Sequence, residues 1–188
     1  IISHNDFETI YYTVTSDERI TIEVIDAKQN GRSKRLSSDF KRFNEMIDSA
    51  DVYLKKDAEK SIKFIGNALN VEINAEQSAQ AHELLGDVYV YWKQYDLAIS
   101  AFKISLQNAS TASAKLKLAE AYRNDGDFNT SLSTYQQIDE KDLSNYQKTV
   151  WFEGLGDTYV KLKDYSKAIK AYEDGLKVAN KHLIAPKV

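Results

Sequence analysis

Apolar residues along this chain recur mostly at helical spacing, three and four positions apart. Leu85 with Tyr89, Leu118 with Tyr122, and Leu155 with Tyr159 each stand at i and i+4, on one face of a helix. Between these runs lie short polar connections such as Lys93-Gln94-Tyr95, Asp125-Gly126-Asp127 and Lys163-Asp164-Tyr165, which force neighbouring helices antiparallel. The pattern predicts eight helices, near 38–55, 57–70, 75–91, 94–107, 111–124, 127–138, 145–161 and 164–181. The first 37 residues break the period. Ile10–Thr15 and Ile20–Ile25 are rich in β-branched and aromatic residues, and the second run alternates apolar and polar. Two strands are expected there, joined by a loop at Ser16–Arg19, with Asn30-Gly31 as a further turn signal. Residues 26–37 read as a polar, basic connector in which Arg32, Lys34 and Arg35 are solvated.

The helical part repeats. His82–Tyr89 with Tyr95 and Ala98–Phe102 is followed by Lys115–Tyr122 with Phe128 and Ser131–Tyr135. Phe152–Tyr159 with Tyr165 and Ala168–Tyr172 comes third. Gly86 to Ala119 is 33 residues and Ala119 to Gly156 is 37, the excess falling in the polar stretch Asp139–Asn145. A weaker copy precedes them, with Ser49, Val52, Ser61, Ile65 and Ala68 in the places of Gly86, Tyr89, Ala98, Phe102 and Ser105. The small residues Gly86, Ala119 and Gly156 predict close helix approach, since glycine inside a helix costs about 1 kcal/mol relative to alanine and needs a packing reason. Ala98 and Ala168 are the reciprocal small positions.

These segments resemble the tetratricopeptide-repeat family, whose pattern places an aromatic, Leu-Gly and Tyr on a first helix and Ala-x3-Phe on a second, at a period of 34 residues. Phe152, Leu155, Gly156 and Tyr159 match the first helix; Ala98 with Phe102, and Ala168 with Tyr172, match the second. The closing proline of the pattern is absent. The resemblance covers residues 40–182 and implies an all-α, right-handed superhelical solenoid of about four helix hairpins, near 42–74, 79–111, 112–144 and 149–181. Residues 1–37 then form a β-hairpin-like segment with its linker, 38–182 the repeat domain, and 183–188 a C-terminal tail. Stacking buries the apolar faces that single hairpins cannot bury alone.

The resemblance further implies a groove lined by the first helix of each hairpin. Its positions are Glu83, Asp87, Val90 and Tyr91, then Leu116, Glu120, Arg123 and Asn124, then Glu153, Asp157, Val160 and Lys161. Of these Glu83, Asp87, Tyr91, Glu120, Arg123, Glu153 and Asp157 are the expected partner-binding residues. Glu83 with Asp87 and Glu153 with Asp157 each project two carboxylates from one face, predicting an acidic groove for a protein or peptide bearing Lys or Arg. Arg123 and Lys161 read as isolated cations, so the Lys, Asn and Arg clamp with which some members hold a terminal carboxylate is not expected.

Composition narrows the function classes. Hydrophobic residues make up 43% and charged residues 28% of 188, as in a soluble globular chain. With 25 basic and 28 acidic residues the net charge is −3, unlike the basic excess of nucleic-acid binders. The chain has no cysteine, which removes disulfides and thiol chemistry and leaves cytoplasm and periplasm equally open. No apolar run approaches the ~20 residues of a membrane helix, so no direct membrane contact is expected. His4, His82 and His182 form no HExxH or i,i+4 pair, so no metal or other cofactor is expected. His82 reads as a packed histidine, and Trp92 and Trp151 as packing residues near helix ends. Gly126-Asp127 and Gly154-Leu155-Gly156 are not phosphate loops, because neither follows a strand. With no catalytic constellation, the chain reads as a non-enzymatic interaction scaffold. The alternative is a sensory or regulatory input domain of a larger bacterial signalling protein, a histidine kinase or transcription regulator. Ile1 in place of a methionine, and Pro186 after the last helix with no polar cap behind it, read as a piece of a longer protein or as ends that self-associate.

Overall fold

The structure is a computed structural model that describes residues 2–4, 7–10 and 27–184, with side chains from 38 to 180. Among the described residues there are eight α-helices: α1 (Ala27–Tyr53), α2 (Ala58–Leu69), α3 (Ala75–Tyr91), α4 (Tyr95–Asn108), α5 (Ala112–Asp125), α6 (Phe128–Gln136), α7 (Asn145–Lys161) and α8 (Tyr165–Ile184). A short 3-10 turn at Glu140–Asp142 occupies the long connection before α7. The two strands Ile2–His4 (β1) and Phe7–Ile10 (β2) pair antiparallel, with Ile2 opposite Ile10. Apart from Ile10, the strands expected at 10–15 and 20–25 and the loop at 16–19 lie outside the described residues.

Two expectations need correction. α1 begins at Ala27, so 27–37 is helical rather than a connector with a turn at Asn30-Gly31. Lys28, Gln29, Arg32, Lys34, Arg35 and Leu36 are good helix formers and together outweigh the roughly 1 kcal/mol that Gly31 costs. The register of the first repeat also shifts by one. Phe43, Ile47, Ala50 and Leu54 form the buried stripe of α1, so Ala50, not Ser49, takes the place of Gly86. Tyr53, not Val52, then matches Tyr89. Lys60 stands 5.2 Å from the Tyr53 ring centre, as Lys167 stands 5.5 Å from Tyr159. On the second helix Ser61, Ile65 and Ala68 are buried as expected.

The helices pair as α1–α2, α3–α4, α5–α6 and α7–α8, and α2–α3, α4–α5 and α6–α7 join the pairs into one continuous stack. Helix starts are fixed by side chains that accept from otherwise unpaired backbone N–H groups. Asn74 with Gln77 and Ser144 with Gln147 form reciprocal capping boxes on α3 and α7. Asp57, Asp127 and Asp164 accept from Lys60, Thr130 and Lys167 N–H at 3.1, 3.0 and 3.2 Å, each capping the second helix of a hairpin.

The small positions work as the spacing predicts. A β-carbon on Gly86 would overlap the Phe102 ring, and one on Gly156 would overlap Tyr172. Buried hydroxyls find backbone carbonyls across the first three hairpins: Ser61 donates to Ala50 O at 2.8 Å, Ser105 to Ala79 O at 2.9 Å and Ser131 to Ala119 O at 2.8 Å. The tryptophans tie one hairpin to the next. Trp92 Nε1 donates to Leu54 O and Trp151 Nε1 to Tyr135 O, both at 2.9 Å. His82 is half-buried, with its Nδ1 donating to Ser78 O at 2.8 Å.

Candidate partner-binding groove

The inner faces of α1, α3 and α5, with the α4–α5 connection, enclose a groove of about 620 Å³. Among the described residues its walls carry five carboxylates, Asp48 and Asp51 from α1 and Glu76, Glu83 and Asp87 from α3, against one cation, Lys117 of α5. Ile47, Ala79 and Leu84 supply an apolar floor. Glu83 and Asp87 are thus where the repeat pattern puts them. Asp48, Asp51, Glu76 and Lys117 are groove residues that sequence reading did not single out. The misplaced register of α1 hid the two aspartates, although the buried stripe Phe43-Ile47-Ala50-Leu54 leaves Asp48 and Asp51 on its flank.

Carboxylates one helical turn apart repel mildly, and Lys117 offsets that repulsion between Glu83 and Asp87. Its ammonium lies 2.8 Å from Glu83 Oε1 and 2.6 Å from Asp87 Oδ2. Ser113 donates to the same Glu83 oxygen at 2.7 Å. Burial raises the Asp87 pKa above the usual carboxylate value, and Lys117 only partly offsets it. For Lys117 burial works downward, but the Asp87 and Glu83 carboxylates outweigh it and the net shift is upward. By contrast, Asp48, Asp51 and Glu76 have no salt-bridge partner among the described residues.

A second hollow of about 550 Å³ opens between α5 and α7, lined by Arg123, Asn124, Asp125, Gly126, Phe128, Asp157, Val160 and Lys161. Here charge is balanced. Arg123 is not an isolated cation: its Nη1 donates to Asp157 Oδ2 at 2.6 Å, and Glu120 lies 3.8 Å from its other terminal nitrogen. Tyr172 donates to the remaining Asp157 oxygen at 2.7 Å. The Tyr172 phenol is pushed up to about 12, first by burial and then by that hydrogen bond. Both cations reach back or forward from α5 to the neighbouring first helix, so α5 acts as the charge bridge of the array.

The other predicted positions divide. Glu153 is exposed on α7 and lines neither hollow. Tyr91 lines neither as well; its ring meets Trp92 edge-on at 5.8 Å, half exposed. Leu116 is buried in the core with Ala119 and Tyr135, and Val90 is half-buried against the cluster around Phe102; neither lines either hollow. Among the described residues, no group of three His, Asp or Glu side chains is placed to hold a metal ion, and no helix is long and apolar enough to cross a membrane.

Comparison with known proteins agrees with this architecture. A family model described as tetratricopeptide repeat matches residues 79–107 and 153–182, and a second of the same description matches 113–142. A solved structure titled "Crystal structure of MamA" aligns with a TM-score of 0.62 at 17% identity, covering 87% of this chain and 99% of that one. At that identity the likeness speaks for the fold. No curated protein matches.

Proposed function

The chain belongs to the tetratricopeptide-repeat family and is an interaction scaffold; from that premise we propose that the groove between α1, α3 and α5 binds a segment of a partner protein rich in Lys or Arg. The observation that carries this reading is the charge of the groove wall, five carboxylates to one ammonium over an apolar floor. Paired charges contribute little to such capture, because Glu83 and Asp87 are already neutralised in part by Lys117. Asp48, Asp51 and Glu76, which have no salt-bridge partner among the described residues, supply carboxylates to attract a cation. Their field steers a basic segment inward, and Ile47, Ala79 and Leu84 receive its aliphatic stems. A groove of this size accommodates a few side chains, so the recognised element is a short segment rather than a domain face. Binding of this kind needs no catalytic group, and the reading assigns none.

A peptide array graded in net charge tests the proposal. Signal should rise with Lys and Arg content, fall with added salt, and disappear in Asp48→Lys/Asp51→Lys. Binding that ignores peptide charge, or that prefers acidic peptides, would overturn it.

A further inference from the structure

The junction of α5 with α7 departs from the pattern set by α3 with α5. At the earlier junction Lys117 of α5 holds its ammonium 2.6 Å from Asp87 of α3. Glu120 stands 33 residues after Asp87, as Ala119 does after Gly86, and Gly154 stands 37 after Lys117, as Gly156 does after Ala119. Glu120 therefore has a glycine in the place of the lysine that serves Asp87. The space is filled by the phenol of Tyr135 on α6, whose oxygen a β-carbon on Gly154 would overlap. Tyr135 is 2% exposed, and its hydroxyl makes no hydrogen bond among the described residues, although the oxygen keeps contact with solvent. Burial pushes the phenol well above its ordinary pKa. Arg123 opposes that shift, and Glu120, Asp157 and Glu153 add to it, so the phenol end stands among first-helix charges and keeps its proton at neutral pH. The hydroxyl is not needed to fill the gap. The matching aromatics are Phe102, which has none, and Tyr172, which donates to Asp157 at 2.7 Å. A nearly buried hydroxyl without a partner is costly unless something binds it.

We propose that Glu120, Glu153 and the Tyr135 hydroxyl form a second cation subsite, one helical turn before the Arg123–Asp157 pair, which takes a Lys or Arg side chain of the partner segment. The carboxylates are as unspent as the hydroxyl. Glu153 has no salt-bridge partner among the described residues. Glu120 has Arg123 at 3.8 Å, beyond hydrogen-bond length, while Arg123 is committed to Asp157 at 2.6 Å. A cation here stands toward Glu120 as Lys117 stands toward Asp87. Its N–H groups donate to the two carboxylates and to the phenol oxygen, and the phenol proton goes to a carboxylate oxygen. The inference rests on the reading of the partner as basic, and adds that it carries two basic residues, one for the wall of α1 and α3 and one for the cleft of α5 and α7.

Calorimetric titration with peptides of a neutral Gly/Ser host tests the subsite, one series carrying a single lysine and another a second lysine at increasing separation. At the best separation the second lysine should tighten binding to the wild type by about tenfold or more. Tyr135→Phe should cut that gain by about fivefold, the worth of one hydrogen bond to a charged group. Its thermal midpoint should stay near that of the wild type, because the lost hydroxyl had no protein partner. Glu120→Gln/Glu153→Gln should cut the gain further and lower its salt dependence. In protein labelled with carbon-13 at the tyrosine ζ carbons, the Tyr135 signal, identified by its loss in Tyr135→Phe, should move as the two-lysine peptide is added. A second lysine that adds nothing, or a gain indifferent to both variants, overturns the subsite; the acidic groove then stands if Asp48→Lys/Asp51→Lys abolishes the binding that remains. A wild type that binds neither series overturns both.

Discussion

Lys117 on α5 holds its ammonium 2.6 Å from the Asp87 carboxylate on α3, 30 residues earlier in the chain. The pair joins two hairpins and neutralises part of the groove wall, so its removal should act on stability and binding in opposite directions. In Lys117→Met the aliphatic stem stays while Asp87 and Glu83 lose their counter-charge. Both partners are about a third exposed, so the loss should be about 1–2 kcal/mol, below the 3–5 of a fully buried pair. Urea unfolding measures it. The groove becomes more acidic at the same time, and a cationic peptide should bind more tightly with a steeper salt dependence. The stability loss should shrink as pH falls, because the folded state already raises the Asp87 pKa and protonation removes the unmatched charge. A variant that loses stability and cationic affinity together would contradict this assignment.

The small positions are not interchangeable. Gly86 accepts the Phe102 ring, whereas the middle repeat has Ala119 at that place. Alanine is tolerated there because the matching aromatic, Tyr135, leans onward to α7, where its phenol end lies over Gly154. Gly86→Ala and Gly154→Ala should therefore each destabilise by about 1–3 kcal/mol through overpacking, against the usual helix preference for alanine. Ala119→Gly should cost only about 1 kcal/mol, the propensity difference. Thermal unfolding of the three variants gives the order; a neutral Gly154→Ala would mean that Tyr135 moves aside freely.

How far these features can be read from sequence depends on the range of the contact that fixes them. The Leu-to-Tyr pairs and the polar turns are local, so all eight helices and most of their ends follow from spacing. The first repeat slipped by one because Ser49 and Ala50 are both small. Only the burial of Phe43, Ile47 and Leu54 around Ala50 decides between them. The carboxylates of the groove were legible as one-helix pairs. Their partners were not: Lys117 meets Glu83 and Asp87 across 34 and 30 positions, and Arg123 meets Asp157 across 34, spacings set by how hairpins stack. For the same reason Arg123 looked isolated in the sequence, and Gly154 gave no sign of the Tyr135 ring above it.

Three turns end first helices in the same way, but with different residues. Gly126 at φ 94° is matched by Lys93 at φ 60° and Lys163 at φ 63°. In each case the next N–H reaches back to a tyrosine carbonyl, from Gln94 to Tyr89 at 2.8 Å, Asp127 to Tyr122 at 3.0 Å and Asp164 to Tyr159 at 2.9 Å. A left-handed backbone strains a residue with a β-carbon by roughly 1–2 kcal/mol and costs glycine nothing. Lys93→Gly and Lys163→Gly should therefore stabilise by about 0.5–1 kcal/mol each, once the greater freedom of glycine in the unfolded chain is subtracted. Denaturant midpoints that fall instead of rising would show that the lysine side chains hold contacts of their own.

The second helices differ in one cap, and that difference makes the final prediction. Asp57, Asp127 and Asp164 each accept a backbone N–H, while Gln94, at a backbone conformation close to that of Asp127, makes no side-chain cap on α4. Gln94→Asp should add a cap and stabilise by about 0.5–2 kcal/mol near neutral pH. The three existing caps also carry a pH signature. Hydrogen bonds from Lys60, Thr130 and Lys167 lower the pKa values of Asp57, Asp127 and Asp164 below their model-compound value of 3.8. A carboxylate with a depressed folded pKa contributes stability above its unfolded value and loses it as pH falls through the folded one. Stability should therefore drop as pH falls below about 4. Replacing all three with asparagine, which caps without titrating, should flatten that part of the profile while leaving neutral-pH stability little changed. Gln94→Asp should steepen the same acid limb. An acid limb unchanged in both variants would place the acid sensitivity elsewhere.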